Sequence, residues 1–345
     1  MPPLVSVVIP TRDSPATLRR ALQSLARQDY AHFEVIVVDD GSSLSVWHEY
    51  RRWWAEFDGR FQLLLPVAPG IPGTRQSASR NRGLRAAQGR YLAFLDHDDE
   101  WTTSDVLSAA VTALESTRAD YFFANMESVR NGVVELPAAF PRAPRLVTGC
   151  RLPALPEIYR VDPPALRQLL LHHTVHVNTT IIRRDLLNRV GGFVERLHYY
   201  EDLEFMLRLA DAARKILYRA DVTARYHLPS GNCLTLAQTR LERALQGVYA
   251  CQHARSVCQS PSVRQCARAR QSWLLRRELA APLRQQGRAR EAFWYALEAA
   301  CVYPTLAGAG EVLKGLARAI GWEKNRGGEL SPPPPVAEAT ARKAA

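Results

Sequence analysis

No run of about 18 uninterrupted apolar residues, the length a membrane-spanning helix needs, occurs in the 345-residue sequence. The opening MPPLVSVVIP has neither a basic n-region nor an A-x-A cleavage pattern, so no secretory leader is expected and a cytoplasmic or cytosol-facing location follows. The six cysteines, Cys150, Cys233, Cys251, Cys258, Cys266 and Cys301, form no C-x-x-C pair. Zinc and dithiol redox readings are therefore weak, and reduced, inert thiols are expected. No G-x-G-x-x-G follows the first apolar run, and no G-x-x-x-x-G-K-[ST] is present, which disfavours a Rossmann dehydrogenase and a P-loop NTPase. No internal repeat is visible. Aspartate is missing from Cys233 onward, where 17 Lys or Arg face 8 Glu, so most of the net charge of +11 lies in the last third.

What is present is an alternation of short apolar runs and amphipathic stretches. Val5–Ile9, Phe33–Val38, Phe61–Leu65, Tyr91–Leu95 and Tyr121–Ala124 read as strands. Ser14 is a candidate helix cap before Pro15, with Leu18, Ala21, Leu22 and Leu25 on one face. A second helix is expected over Gln76–Gln88, stopped by Gly89 as its C-cap. Val106, Leu107, Ala110, Val111 and Leu114 mark another, and helical patterning returns at Glu201–Ala212. Apolar strands separated by helices imply an α/β fold with a mostly parallel sheet covered on both faces, a Rossmann-like nucleotide-binding core. Val133–Val161 is rich in proline and reads as a long irregular excursion. Beyond Leu234 only helices are expected, and Ser331–Pro335 opens a Pro-rich tail expected to be disordered.

In such sheets ligands bind beyond the carboxyl ends of the strands. Three strand ends carry polar or acidic residues: Pro10-Thr11-Arg12-Asp13, Asp39-Asp40-Gly41-Ser42 and Asp96-His97-Asp98-Asp99. Carboxylates as close as Asp96, Asp98 and Asp99 repel one another unless a cation lies among them. Mg²⁺ or Mn²⁺, with oxygen ligands, suits such a cluster and typically bridges it to substrate phosphates. Asp39 and Asp40 can accept hydrogen bonds from a base or ribose. Glu201 and Asp202 open a helix whose Leu203, Met206, Leu207 and Ala210 look buried, and acids in a first turn also complement the helix dipole.

These pieces together resemble a known family. VSVVIPTRDSPATLRRALQSLARQDYAHFEVIVVDDGSS is similar to the opening of the inverting family-2 glycosyltransferases with the GT-A fold. Ser79-Arg80-Asn81-Arg82-Gly83 resembles their A-R-N-x-G segment and YLAFLDHDDEW their D-x-D strand end. Val190–Leu209 resembles the G-G-F…E-D-x-x-x-x-x-R region, and Arg225-Tyr226-His227 the R-x-H element. The resemblance covers roughly Val5–Gly231. It implies that Pro10, Thr11, Arg12, Asp13 and Asp40 hold the nucleoside, with Asp40 at the base. Arg80 would act near the base or diphosphate, Asp96 at ribose or donor sugar, and Asp98 and Asp99 at the metal, with His227 completing that site. Asp202 would be the general base toward the acceptor hydroxyl, supported by Glu201. Two departures stand out: Arg12 and Asp13 replace a frequent aromatic and Asn, and His97 fills the variable position of D-x-D.

The implied organisation is a GT-A catalytic domain over 1–230, a helical region over 231–328 and the tail over 329–345. The implied partners are a nucleotide-sugar donor, with a UDP-sugar favoured, and a glycan or lipid-linked acceptor. The block from Arg255 to Arg290 holds nine arginines against Glu278 alone and suits an anionic membrane surface, or it is a solvated helical face. Its one aromatic is Trp273 and it matches no recognised nucleic-acid module, so no nucleic acid is expected. The alternatives are a sugar-nucleotide nucleotidyltransferase, which usually has a Gly-rich phosphate loop where Pro10–Asp13 stands here, and a non-catalytic glycan- or nucleotide-sugar-binding paralogue.

Overall fold

Strand β1 (Val5–Thr11) is buried at all seven positions, and so is β2 (Phe33–Asp39). Such full burial follows from β-branched runs that are covered on both faces. In the computed structural model, which describes residues 4–71, 73–140, 151–152, 155–172, 175–228 and 239–325, these strands lie in an 11-stranded sheet. With β3 (Phe61–Leu64), β4 (Tyr91–Phe94), β6 (Tyr121–Arg130), β8 (Arg151–Leu152), β9 (Leu155–Val161), β10 (Thr180–Arg183) and β11 (Ile216–His227), the order is β3-β2-β1-β4-β10-β6-β11-β9-β8. β5 (Glu100–Trp101) pairs with β11, and β7 (Val133–Leu136) pairs with β6. β1 to β4 run parallel, β10 runs antiparallel between β4 and β6, and β11 is parallel to β6. Thr11 is in register with Asp39, so β1 and β2 deliver their polar ends to the same level.

The helices that pack on this sheet are α1 (Pro15–Ala26), α2 (Leu44–Trp53), α3 (Arg75–Ala86) and α4 (Val106–Thr117). They are followed by α5 (Pro163–His172), α6 (Arg184–Val190), α7 (Glu201–Ala212), α8 (Arg240–Val257) and α9 (Pro261–Leu274). Leu18, Ala21, Leu22 and Leu25 are buried in the main core, as their spacing predicts. Helix α3 lies close on the sheet because Gly83 leaves no side chain: a Cβ there would run into Val8 and lie 3.2 Å from Val38.

Three local expectations are corrected. Ser14 does precede α1, but its hydroxyl donates to the Arg12 carbonyl and caps no first-turn amide. Gly89 is not the C-cap of α3, which ends at Ala86 with Ala87 as its cap. Its N–H donates to the Ser6 hydroxyl, and a Cβ would lie 2.6 Å from the Ser6 nitrogen, so the glycine permits close approach to β1. The excursion after Val133 is partly regular. Asn131 and Gly132, both with positive φ, turn β6 into β7 as a two-residue hairpin, and β9 returns antiparallel along β11.

The chain divides into two compact units, Met1–Leu274 and Leu275–Ala345. The boundary expected near residue 230 thus falls inside the first unit, to which α8 and α9 belong. There α8, opened by a Thr239–Glu242 capping box, packs on the entry to α7: a Cβ at Gly247 would lie 2.9 Å from the Tyr200 ring. In the second unit α10 (Ala281–Gln285), α11 (Ala289–Val302) and α12 (Leu306–Asn325) follow a π-helical turn, Leu275–Ala280. Leu283, Ala292 and Ala296 form that unit's own small core, with Tyr295 and Val312 against it. Trp294, Leu313 and Leu316 are exposed. No described helix is long and apolar enough to cross a membrane. The Pro-rich tail, Cys150 and Cys233 lie outside the described residues.

Candidate active site

The ends of β1 and β2 form a polar cradle from one local turn at Asp39 and from bonds between segments 29 to 35 positions apart. Asp13, held at φ 46°, donates its N–H to the Ser42 hydroxyl at 2.8 Å and accepts from Ser43 N–H at 2.8 Å. Buried Asp39 accepts from Gly41 and Ser42 N–H at 3.0 and 2.8 Å. Asp40 accepts from Thr74 N–H, the Thr74 hydroxyl and Arg75 N–H at 2.7, 2.8 and 2.7 Å, which fixes the start of α3. Gly73 allows that approach, since a Cβ there would lie 2.6 Å from Asp40 Oδ2. The half-exposed Arg12 side chain stands 3.7 Å from Asp13 Oδ2. Thr11 is buried, and the Pro10 carbonyl meets His97 Nδ1 at 3.2 Å, tying the ends of β1 and β4 together.

At the end of β4 most donors are side chains from other segments. Arg80, 2% exposed, donates to Asp96 Oδ1 at 2.6 Å and to Glu201 Oε1 at 2.8 Å, and stacks on Phe193 at 5.2 Å. Burial raises the Asp96 pKa, but the Arg80 charge outweighs it and holds the carboxyl below its usual range. Glu201 goes the other way: burial raises its pKa and Asp202 adds to that, against the pull of Arg80. Asp99, 0% exposed, accepts from His227 N–H at 2.7 Å and from the Asn178 amide. Burial, with Asp98 and Asp96 as like-charged neighbours, pushes its pKa well up. The Asn178 carbonyl oxygen of the side chain accepts from Asp96 N–H at 2.8 Å, so one amide serves both acids.

Asp96, Asp99 and His176 bring ligand atoms within 4.8 Å of one another. Of the expected metal set this group contains Asp99. Asp98, half-buried, adjoins it in sequence, with its backbone carbonyl taken by Arg20. The His227 ring instead faces Glu100 at 3.3 Å, and burial lowers its pKa. Asp202, half-buried, follows Glu201 in the first turn of α7, after Tyr200 in a left-handed conformation. Tyr226 is surrounded by these acids: burial and the charges of Asp99, Asp98, Asp96 and Asp202 all raise its pKa.

Several residues here escaped the sequence reading. His176 and Asn178 precede β10 in a polar stretch with no strand-end pattern to flag it. Asn81 clamps the loop before α7, donating to the Phe193 carbonyl and accepting from its N–H at 2.9 and 2.8 Å, while a Cβ at Gly192 would run into Asn81. Arg208 reaches back to the Val190 and Gly192 carbonyls at 2.6 and 2.7 Å and pairs with Glu204. The family-like A-R-N-x-G and E-D…R segments thus brace one loop from both sides.

A mostly parallel core with acids at the carboxyl ends of its strands, an antiparallel strand between β4 and β6 and an acid-tipped helix agrees with the GT-A fold, which the solved structures similar to this chain share. The structure of Staphylococcus aureus TarS residues 1–349 in complex with UDP-GlcNAc superposes with a TM-score of 0.64 at 19% identity, over 87% of this chain and 82% of that one. The mannosyltransferase PcManGT from Pyrobaculum calidifontis, in complex with GDP-Man and Mn²⁺, gives 0.56 at 20% identity, over 93% and 81%. The glycosyl transferase family 2 model matches residues 6–190, and the chain belongs to that family. Over 133 residues it is 32% identical to the UDP-Glc:alpha-D-GlcNAc-diphosphoundecaprenol beta-1,3-glucosyltransferase WfgD of Escherichia coli. That match covers 38% of this chain and 49% of WfgD, so it spans about half the relative's length.

Proposed function

We propose that the protein is a metal-dependent inverting glycosyltransferase. It moves a sugar from a nucleoside-diphosphate sugar, with a UDP-sugar favoured, to a hydroxyl of a glycan or lipid-linked acceptor. The observation that carries this reading is the buried Asp96–Arg80–Glu201 triad. It joins the donor-side strand end to the first turn of α7, where Asp202 stands one residue further on. Inversion requires the acceptor oxygen to attack the anomeric carbon from the face opposite the departing diphosphate. The acceptor proton passes to the Asp202 carboxylate, and Glu201, held by Arg80, fixes the helix start. Thr11, Asp13 and Asp40 line the nucleoside cradle, and Arg12 offers a planar guanidinium there.

A divalent cation fits the oxygen and imidazole donors of Asp96, Asp99 and His176, with Asp98 adjacent, because it would relieve the like-charge crowding that, after burial, raises the Asp99 pKa. Bound there, Mn²⁺ or Mg²⁺ would neutralise charge on the leaving diphosphate. UDP-GlcNAc in the TarS complex and UDP-Glc in the name of WfgD favour a uridine donor, and the diphosphoundecaprenol in that name favours a lipid-linked acceptor. Peripheral attachment of the Arg-rich helices to anionic lipid belongs to the same reading. Its support is the charge of the block and the exposed Trp273 and Trp294.

The test is a screen of UDP-, GDP- and dTDP-sugars with Mn²⁺, first by thermal stabilisation and then by product analysis. One UDP-sugar should stabilise the protein and be turned over to nucleoside diphosphate, with activity lost to chelator and restored by Mn²⁺. Release of pyrophosphate would favour the nucleotidyltransferase alternative, and binding without turnover on any acceptor a non-catalytic paralogue. Full turnover after thorough demetallation would sink the metal.

A further inference from the structure

A cavity of about 570 Å³ lies away from the acidic crevice. Its walls come from the end of β9 and α5, the end of α7, the start of β11 and the first turn of α9. Because β9 runs antiparallel to β11 and Val161 pairs with Ile216, the cavity sits at the amino end of β11. The crevice is at the carboxyl ends of the strands parallel to β11. Helix α7 spans the two, with Glu201 at one end and Ala210 and Asp211 on the cavity wall at the other, about 18 Å for twelve residues.

The lining combines two chemistries. Four basic residues line it: the half-buried Arg167 and the exposed Arg160, Arg214 and Lys215. Its two acids are engaged elsewhere. Asp211 accepts from Gln259 and Ser260 N–H at 2.8 and 2.7 Å, and Asp162 accepts from Ala165 N–H at 2.8 Å, capping α9 and α5. Lys215 donates to the Thr117 carbonyl at 3.0 Å. Among the described residues no carboxylate pairs with Arg160, Arg167 or Arg214, and the Nε of Arg167 is buried without a hydrogen-bond partner. A buried guanidinium N–H left unmade is costly, so an acceptor is expected to come from outside the chain. The rest of the wall is mainly aliphatic, with Leu166, Leu170, Ile216 and Val263 beside Ser260, Ser262 and Cys266, and holds no aromatic ring on which a base could stack.

We propose that this cavity is a second ligand site, for an organophosphate with an aliphatic body. Its phosphate takes the Arg160, Arg167 and Arg214 guanidinia, which favour planar bidentate contact with phosphate oxygens, and its aliphatic part covers the leucines. This site neither contains nor adjoins the acids assigned to sugar transfer.

Octyl phosphate titrated into the full chain by calorimetry provides the test, with inorganic phosphate and octanol as controls and with saturating UDP and Mn²⁺ present in a parallel run. One site should bind octyl phosphate more tightly than either control, and UDP should leave that binding unchanged. Each of Arg167→Gln and Arg214→Gln should weaken it on the order of tenfold, as loss of a charge-assisted hydrogen bond does. A Leu170→Ala variant, with the arginines kept, should weaken octyl phosphate and leave inorganic phosphate unaffected. Circular dichroism and the melting temperature establish that each variant folds. Competition by UDP, equal affinity for octyl phosphate and inorganic phosphate, or unchanged binding in both arginine variants would each overturn the proposal.

Discussion

At the end of β2, Asp39 and Asp40 accept hydrogen bonds from backbone N–H groups and one hydroxyl. At the end of β4, Asp96 and Asp99 depend mainly on side chains: Arg80, Asn178 and, beyond Arg80, Glu201. Both pairs are aspartates after an apolar parallel strand, and in sequence they look alike. The Asp39 donors come with the turn itself, the Asp40 donors come from the start of α3, and neither set depends on a second charged side chain. Side-chain donors bind the β4 acids into a buried set in which each charge exists because another balances it. The β2 end is thus a hydrogen-bonded cradle, while the β4 end is an electrostatic unit that links the β4 acids to α7.

The largest effect should come where that unit meets chemistry. Asp202→Asn keeps the shape and removes the proton acceptor. Turnover should fall by roughly two to four orders of magnitude while nucleotide-sugar affinity stays near wild type. Normal turnover would move the base to Glu201 or Glu204. Next, Arg80→Met leaves Asp96 and Glu201 buried without their countercharge, and unfolding in denaturant should show a loss of about 3–5 kcal/mol. A loss within experimental error would mean that the triad carries no interdependence and the contrast with β2 fails.

Asp40→Asn probes the cradle. It should cost little stability, yet weaken nucleotide affinity on the order of tenfold in an equilibrium titration by loosening Thr74 and Arg75. A large stability loss with unchanged affinity would make Asp40 purely architectural. The smallest effect is one of pH. In chelated protein the raised pKa of Asp99 means that the native state binds the proton more tightly than the unfolded chain. Its contribution is then favourable below the folded-state pKa and declines as pH rises from the unfolded value through that folded value. The stability difference between Asp99→Asn and wild type should therefore move in favour of the variant as pH rises above the ordinary carboxylate range, about pH 4, and the trend should flatten with Mn²⁺. A difference independent of pH would show that Asp99 carries no such strain.

Much of this was legible in the residues. The runs at Val5, Phe33 and Tyr91 are strands because central parallel strands, buried on both faces, admit few polar side chains. Asp202 is readable as the start of a helix because Leu203, Met206, Leu207 and Ala210 repeat with the helical period. The β6–β7 hairpin carried its own signal in Asn131-Gly132, overlooked inside a proline-rich stretch. Gly89 looked like a helix stop, but contact with Ser6, 83 residues away, decides its place.

The sequence by itself determined the parallel core, its polar strand ends and the helix that carries Glu201 and Asp202, since periodicity and strand chemistry are properties of neighbouring residues. Only the tertiary structure decided which acids act together. The pairing of Arg80 with Glu201 spans 121 positions, and that of Asn178 with Asp99 spans 79. The His176 ring lies with the acids at the end of β4, while the His227 ring lies against Glu100 and only its backbone N–H reaches Asp99. Such partners are chosen by burial and charge balance in three dimensions, and no local pattern records them.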